Sequence, residues 1–375
     1  MKAKVGILTM HRVVNYGSAL QAYATQRIVE SMGYDCEIID YEYPNVFQFE
    51  RGEIPPQYGW KSRLAKTFGL SAKWRKANKF EAFRREHIRL SRYYASPAEI
   101  KAAPPCYDIY MTGSDQVWNP RFTHSDTTFL LDFAVGKPKT AYAASFAASN
   151  LDKSCRESYR RLLEQYDSIS VREKSGQKII KDLLGKDVPI VADPTLLLNK
   201  YEWGELIGGK VENNGYILVY KLDYAFDPTA VIYDVIMRLA KETSLKIVSL
   251  GKLDCNMIPD YEIVDDAGPT EFIRLFMGAS CIVTSSFHGT AFAVNFGKPL
   301  FSVVGNEASC DDRQSSFLKS LGLDNCIIKP GSNIDEVNIN SGETKESADK
   351  LYLLIHNSLA YLETALRDCL LKIAK

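Results

Sequence analysis

The chain has 375 residues and carries 46 Lys+Arg against 46 Asp+Glu, so its formal net charge is zero. Neutrality excludes a uniformly basic nucleic-acid binder, which needs a large positive surplus. An apolar content of 46% excludes a charge-rich disordered chain, and the length suits two domains because single cores seldom grow past about 250–300 residues. Residues 4–9 (KVGILT) read as a buried strand, followed by the loop MHRVVNYGS and a helix SALQAYATQRIVESMGY with Leu20, Ala24, Ile28 and Met32 on one face. CEIIDYEY reads as the next strand, giving the β-loop-α-β opening of a doubly wound sheet. Residues 44–60 are Pro- and Gly-rich and read as irregular.

Residues 61–92 break the overall balance, with eleven Lys/Arg and two Glu. They read as one or two helices with Trp74, Ala77, Phe80, Phe83 and Ile88 giving part of an apolar stripe. Either this is a solvated helix face, or it meets anionic lipid or a pyrophosphate-bearing acceptor. Strands are then expected at YDIYMTG (107–113), TTFLLDF (127–133), KTAYAASF (139–146) and SISVRE, with helices at 153–166 and SGQKIIKDLL, and VPIVADPTLLL closes the first half. The second half repeats the alternation. Strands are expected at YILVYKL, LKIVSLG, YEIVDD, CIVTSS and KPLFSVV, and helices at 227–242, 268–279, HGTAFAVNFG and 311–321. Residues 331–345 read as a polar loop. A terminal helix over about 346–373 aligns Leu351, Ile355, Leu359, Leu362, Leu366, Leu370 and Ile373. The expected organisation is α/β, with two Rossmann-like domains facing across a cleft. They are residues 1–195 (including the basic segment) and 196–345, followed by a helix over 346–375 that packs back on the first domain.

The eight Cys are scattered singly, without a C-x-x-C pair or a Cys/His cluster at metal spacing. The first residues, MKAKVGILTM, lack the apolar region and cleavage site of a signal peptide. No segment approaches about 18 continuous apolar residues. The expected compartment is the cytoplasm, with peripheral contact at the inner face of the membrane left open.

Four loops could carry chemistry. Asn15-Tyr16-Gly17-Ser18 joins a first strand to a first helix, where free N–H groups favour an anion. It matches neither a dinucleotide fingerprint nor a P-loop, and an ordinary capped turn competes. In Gly113-Ser114-Asp115, the Gly permits close backbone approach and Asp115 could accept a proton or bind a hydroxyl. A turn-capping Asp115 beside a core Trp118 is the alternative. Arg172, just past a buried strand, needs an anion and suits bidentate binding of a carboxylate or phosphate. Glu173 or Asp193 could instead be its structural partner. In Thr284-Ser285-Ser286-Phe287-His288-Gly289-Thr290, His288 stands between a strand and a helix, able to donate a proton, with hydroxyls that could bind phosphate. No G-x-S-x-G elbow surrounds these serines, which argues against a serine hydrolase.

In order, VGILTMHRVVNYGSALQAYA, MTGSDQVWNP, AYAASFA, SISVREKSG, VADPTLLL and VTSSFHGTAFAVNFGKP resemble the polysaccharide pyruvyl transferase family over residues 5 to about 299. The resemblance implies a two-domain fold like that of GT-B glycosyltransferases. It also implies transfer of the pyruvyl moiety of phosphoenolpyruvate to a sugar of a bacterial capsule, exopolysaccharide or cell-wall polymer, commonly as a ketal and often on a lipid-linked unit. No cofactor beyond the donor substrate, and no metal, is implied. The family's anion-binding Arg falls on Arg172 and its His on His288. The Arg of its Arg-Leu-His-Gly motif is replaced by Ser286, for which Arg313, Lys298 and Arg121 are candidate substitutes. On this reading His288 is the general acid, Asp115 the base or acceptor-orienting group, and Arg172 the donor-anion site. Asn15, Gly17, Ser18, Gly113, Ser114, Ser285, Ser286, Gly289 and Thr290 are then substrate contacts. A nucleotide-sugar glycosyltransferase of the same architecture and a non-catalytic sugar- or nucleotide-binding module are the competing readings.

Overall fold

The structure is a computed structural model that describes residues 2–42, 60–209, 211–212, 214–223, 226–258, 260–305, 311–336, 338 and 341–373. The chain divides into two compact units. One comprises Met1–Gln57, Glu81–Leu197 and Leu353–Lys375, the other Tyr58–Phe80 and Leu198–Tyr352. Nearly all of the irregular stretch expected at 44–60, and Cys310, lie outside the described residues.

In the first unit, β1 (Lys4–Leu8), β2 (Asp35–Ile38), β3 (Ile109–Thr112), β4 (Lys139–Ala144) and β5 (Ser168–Val171) form one parallel sheet, in the order β2-β1-β3-β4-β5. Every residue of β3 and β4 is buried, because a parallel sheet is covered on both faces and its strands read as continuous apolar runs. One core joins Leu8, Trp118, Phe129, Phe146, Tyr159 and Leu163. The long helix Lys345–Ile373 enters this unit from Leu353 onward. Leu362, Ala365, Leu366 and Cys369 are buried, Ser358 Oγ accepts from the Ala192 N–H at 2.8 Å, and Tyr361 donates to the Ala141 carbonyl at 3.2 Å. The expected stripe holds through Leu370, but Ile373 at its end is exposed.

The second unit holds β6 (Tyr216–Tyr220), β7 (Lys246–Ser249), β8 (Glu262–Ile263), β9 (Cys281–Thr284), β10 (Leu300–Val303) and β11 (Ile327–Ile328), in the order β11-β10-β9-β6-β7-β8. All its pairings are parallel, and its core gathers Ile217, Val219, Ile236, Val283, Phe301 and Val303.

The structure departs from the sequence reading in several places. TTFLLDF is not a strand: Thr127–Leu130 is a 3-10 turn, capped by Asp126 accepting from the Thr128 N–H and closed by Leu131 in the left-handed region. Its apolar run reflects the burial of Phe129, Leu130 and Leu131 in a packed turn. VPIVADPTLLL contributes only a bridge from Ile190 to Val171, then the short helix Pro194–Leu197. The helix Lys200–Leu206 was not expected, although Asn199 and Glu202 form a reciprocal cap at its start. The basic segment forms two helices, Trp60–Thr67 and Ala72–His87. It was expected wholly within the first domain, yet residues through Phe80 group with the second unit. Two ion pairs tie it to that unit: Arg75 Nε lies 2.5 Å from Asp266 and Lys79 Nζ 2.9 Å from Glu271.

If the terminal helix is part of the first unit's core, Leu366→Ala should lower unfolding free energy by about 2–5 kcal/mol, as large-to-small changes at fully buried sites do. Leu371→Ala, at an exposed position of the same helix, should stay within about 0.5 kcal/mol. Urea denaturation of both variants checks this, and equal effects would separate the helix from the core.

Candidate functional site

An open parallel sheet binds ligands beyond the carboxyl ends of its strands, where the strand order reverses direction and neighbouring connections part. In the first unit that point lies between β1 and β3; in the second it lies between β6 and β9. Three of the four loops singled out in the sequence leave strands at these two points, whereas Arg172 follows β5 at the edge of the first sheet.

After β1, Asn15 caps the helix Tyr16–Ser31 by accepting from the Ser18 N–H at 3.2 Å, with Gly17 buried in its first turn. Asn15 is thereby spent on the helix. The Ser18 hydroxyl donates to Asp115 Oδ2 at 2.5 Å. Asp115 lies just beyond β3 with φ 79°, a left-handed conformation that is costly for a residue with a Cβ and is held by its surroundings. Those surroundings include Ser145, whose N–H donates to the Asp115 carbonyl at 3.0 Å, and Arg172, whose Nη2 lies 3.3 Å from Asp115 Oδ1. Gly113 is required nearby, because a Cβ there would stand 2.9 Å from Thr9 Cβ. As the alternative held, Trp118 is core and Asp115 Oδ1 accepts from the Gln116 N–H at 2.9 Å, while Asn119 caps the short helix that follows.

Arg172, expected to hold a donor anion, is instead occupied by carboxylates. Its Nη1 lies 2.5 Å from Asp193 Oδ2 and 3.2 Å from Ser114 Oγ, and its side chain is fully buried. Ser114 Oγ also donates to Asp193 at 2.8 Å, and Asp193 Oδ1 accepts from the Thr195 N–H and hydroxyl. Buried Glu173 accepts from the N–H groups of Phe146 and Ala147. An anion entering here would meet the carboxylates of Asp115, Asp193 and Glu173. Arg172 thus pairs with Asp193, as the alternative reading of the sequence allowed, and with Asp115, and Ser114 bonds to both Arg172 and Asp193.

A second cluster at the same sheet edge was missed from the sequence, although His11 and Arg12 lie in the loop it singled out. His11 Nε2 is 2.9 Å from Asp40 Oδ1, and Nδ1 is 3.1 Å from the Thr9 carbonyl. Arg12 pairs with both Asp40 oxygens, at 2.7 and 2.8 Å. Burial opposes the ionised form of Asp40, but hydrogen bonds from His11 and Arg12 win and hold its carboxyl well below the usual carboxylate range. Burial pushes His11 below its ordinary value, against the pull of Asp40. The available signal was a His-Arg pair right after the first strand; its Asp partner, 28 residues on, was invisible to spacing.

In the second unit the small hydroxyls mostly build the loop. Thr284 donates to the Tyr220 carbonyl at 2.7 Å. Ser285 Oγ accepts from the Leu222 N–H at 2.8 Å and donates to the Leu222 carbonyl at 2.6 Å, tying together the two connections that part there. Ser286 caps the helix Phe287–Asn295 by accepting from the Gly289 N–H, and Thr290 pairs with Ser302 at 2.8 Å. Gly289 must lack a side chain, since a Cβ would fall 2.5 Å from Thr284 Oγ1. His288 sits in the first turn of this helix, with its ring against Phe287. Arg313 lies over Phe287 itself, its guanidinium 5.7 Å from that ring and hydrogen-bonded to both carboxylate oxygens of Asp311. Of the three candidate substitutes for the absent Arg, Arg313 is the one beside this loop. Lys298 donates to the Ala279 carbonyl before the amino end of β9, and Arg121 belongs to the first unit.

A model of the polysaccharide pyruvyl transferase family matches residues 15–307. No curated protein sequence shows significant similarity to the chain. Among solved structures, a protein described as a UDP-N-acetylglucosamine 2-epimerase from Listeria monocytogenes shares the fold at 12% identity and a TM-score of 0.51, covering 97% of this chain and 91% of that one. The α,α-trehalose 6-phosphate synthase of Burkholderia multivorans superposes with a TM-score of 0.48 at 7% identity, over 100% and 97% of the two chains.

Removing one partner of a buried ion pair strands the other charge, so Arg172→Ala should destabilise the protein by about 3–5 kcal/mol. Stability like that of the unaltered protein, measured by urea unfolding, would show that Arg172 does not hold these carboxylates together. Asp40 gives a signed pH test. Its depressed folded-state value means that its stabilisation is full above the unfolded carboxyl range, near 4, and is lost as pH falls below it. The stability gap between the unaltered protein and Asp40→Asn should therefore shrink as pH drops from about 5 toward 2. A gap that is constant with pH would sink this assignment.

Proposed function

The chain belongs to the polysaccharide pyruvyl transferase family, and on that premise we propose that it moves the pyruvyl group of phosphoenolpyruvate onto hydroxyls of a sugar, forming a ketal and releasing phosphate. The observation that carries this reading is that the family match spans the loops at both strand-order reversals, from Asn15 through Thr290. The acceptor belongs to surface-polysaccharide synthesis and is presented as a sugar, free or on a lipid carrier.

The proposed chemistry assigns each charge a use. Protonation of the methylene carbon of phosphoenolpyruvate leaves cationic character on the adjacent carbon. One sugar hydroxyl adds there, phosphate departs with its C–O bond pair, and a second hydroxyl closes the ketal. Of the two hydroxyl protons released, one balances the proton delivered to carbon and the other leaves with phosphate. His288 is the general acid, placed at a helix amino end where the donor's anionic groups are favoured. Arg313, beside Phe287, is the candidate cation for the donor's carboxylate or phosphate, exchanging it for Asp311. Asp115, aligned by Ser18 and Arg172, receives or orients the acceptor hydroxyl. Phosphoenolpyruvate is consumed as a substrate, and no separate cofactor enters the proposal.

Incubation with phosphoenolpyruvate and a panel of sugar and lipid-linked sugar acceptors should release phosphate only when an acceptor is present. Nucleotide-sugar turnover without such release would reject this function in favour of glycosyl transfer. His288→Gln should lower kcat by about 10²–10⁴, the usual worth of a positioned acid, with urea unfolding little altered. Undiminished turnover would remove His288 from the chemistry.

A further inference from the structure

The helix Trp60–Thr67 carries a dense group of uncovered apolar side chains. Trp60 is 67% exposed, Leu64 44%, Phe68 70% and Leu70 70%. Elsewhere among the described residues, exposed large apolar side chains occur singly or in adjacent pairs. Trp60, Leu64 and Phe68 are spaced four apart, and the Phe68 N–H still bonds the Leu64 carbonyl, so the three form one ridge along a helix face. Gly69, at φ 58°, then ends the helix, with the Leu70 N–H bonded back to the Ala65 carbonyl in the six-to-one pattern of a helix stop. Leu70 is thereby set at a fixed point beyond the ridge.

The flanks of this ridge are cationic. Residues 60–70 contain Lys61, Arg63 and Lys66 and no Asp or Glu. At 100° per residue, Lys61 and Arg63 fall on opposite sides of the Trp60-Leu64-Phe68 line. Lys61 Nζ stands 5.9 Å from the Trp60 ring centroid. An apolar ridge bracketed by cations, with an indole at one end, is the pattern of a helix lying in the interface of an anionic bilayer. A protein partner would have to match both an apolar strip and positive charge on each side of it; a lipid surface supplies both continuously.

The neighbouring cations serve a different purpose. Arg75 and Lys79 pair with Asp266 and Glu271. Lys76 is mostly covered, and burial lowers its ammonium to about 8. The cations of the stretch thus have separate fates: Arg75 and Lys79 pair within the second unit, Arg89 pairs with Asp35 in the first, and Lys61 and Arg63 face outward.

We propose that the ridge of Trp60, Leu64, Phe68 and Leu70, flanked by Lys61 and Arg63, is a peripheral docking surface for anionic lipid bilayers. The proposal stands on this helix alone and does not depend on pyruvyl transfer. The full-length protein should float with vesicles of phosphatidylcholine mixed with phosphatidylglycerol, and much less with phosphatidylcholine alone or at high salt. Lys61→Ala with Arg63→Ala should weaken partitioning about 30-fold, corresponding to ~1 kcal/mol per cation. Phe68→Ser should weaken it about tenfold or more, from the value of burying a large apolar side chain. Both variants alter exposed positions, and their urea unfolding should match that of the unaltered protein.

Tryptophan emission supplies a second reading. Of the four tryptophans, Trp118 and Trp203 are fully buried and Trp74 is partly buried, so a blue shift on adding anionic vesicles should come largely from the exposed Trp60. Trp60→Phe should lose most of that shift and still float. Absence of flotation, flotation indifferent to lipid charge, or flotation unchanged by the variants would overturn the proposal. So would sedimentation showing a dimer that Phe68→Ser dissociates while vesicles stay unbound, which would give the ridge to a second copy of the chain.

Discussion

A guanidinium sealed from water organises the carboxyl edge of the first unit's sheet. Arg172 leaves the end of β5 and meets Asp193 at 2.5 Å and Asp115 at 3.3 Å. Burying these charges singly would cost several kcal/mol each, so they are tolerable only together and with further hydrogen bonds. Ser114, Thr195 and Ser18 provide those bonds. The consequence is geometric. The carboxylate of Asp115 is held at one place although its own backbone occupies a left-handed conformation. Stability stored in the ion pair fixes a side chain whose local preference runs the other way.

The second unit solves the same topological problem without charge. Where its strand order reverses, Ser285 clips Leu222 by both backbone groups, and Thr284 clips Tyr220. These are neutral hydroxyl-to-backbone bonds, and beside Phe287 the cation Arg313 is aligned by Asp311 and the aromatic ring. The first unit's edge is thus centred on buried carboxylates and the second unit's on a histidine and an arginine.

Much of this was legible in the sequence, for reasons that differ by residue. Parallel strands are buried on both faces, so KVGIL, YILVY and CIVT stand out as short apolar runs. Loops between such a strand and a helix fall at the carboxyl edge, which made Ser18, Asp115 and His288 visible as candidates. What spacing could not reveal was the partner. Arg172 looked available for an anion because Asp115 and Asp193 are 57 and 21 residues away in the chain. TTFLLDF looked like a strand because a packed turn buries the same side chains a strand would. His11 and Asp40 became a pair only once β1 and β2 were side by side.

The zero net charge belongs to the same lesson. A surplus of positive residues over 61–92 reads from sequence as one feature, yet its cations have separate fates. Those on the helix Ala72–His87 at Arg75 and Lys79 find acidic partners from a segment almost 200 residues later, so part of the surplus is internal pairing between distant stretches of chain. Lys61 and Arg63 instead border exposed Trp60, Leu64 and Phe68, where desolvating apolar surface and neutralising charge would both be favourable against one and the same anionic interface. Overall neutrality is therefore compatible with a locally cationic, apolar face, because the balancing acids are committed elsewhere in the fold.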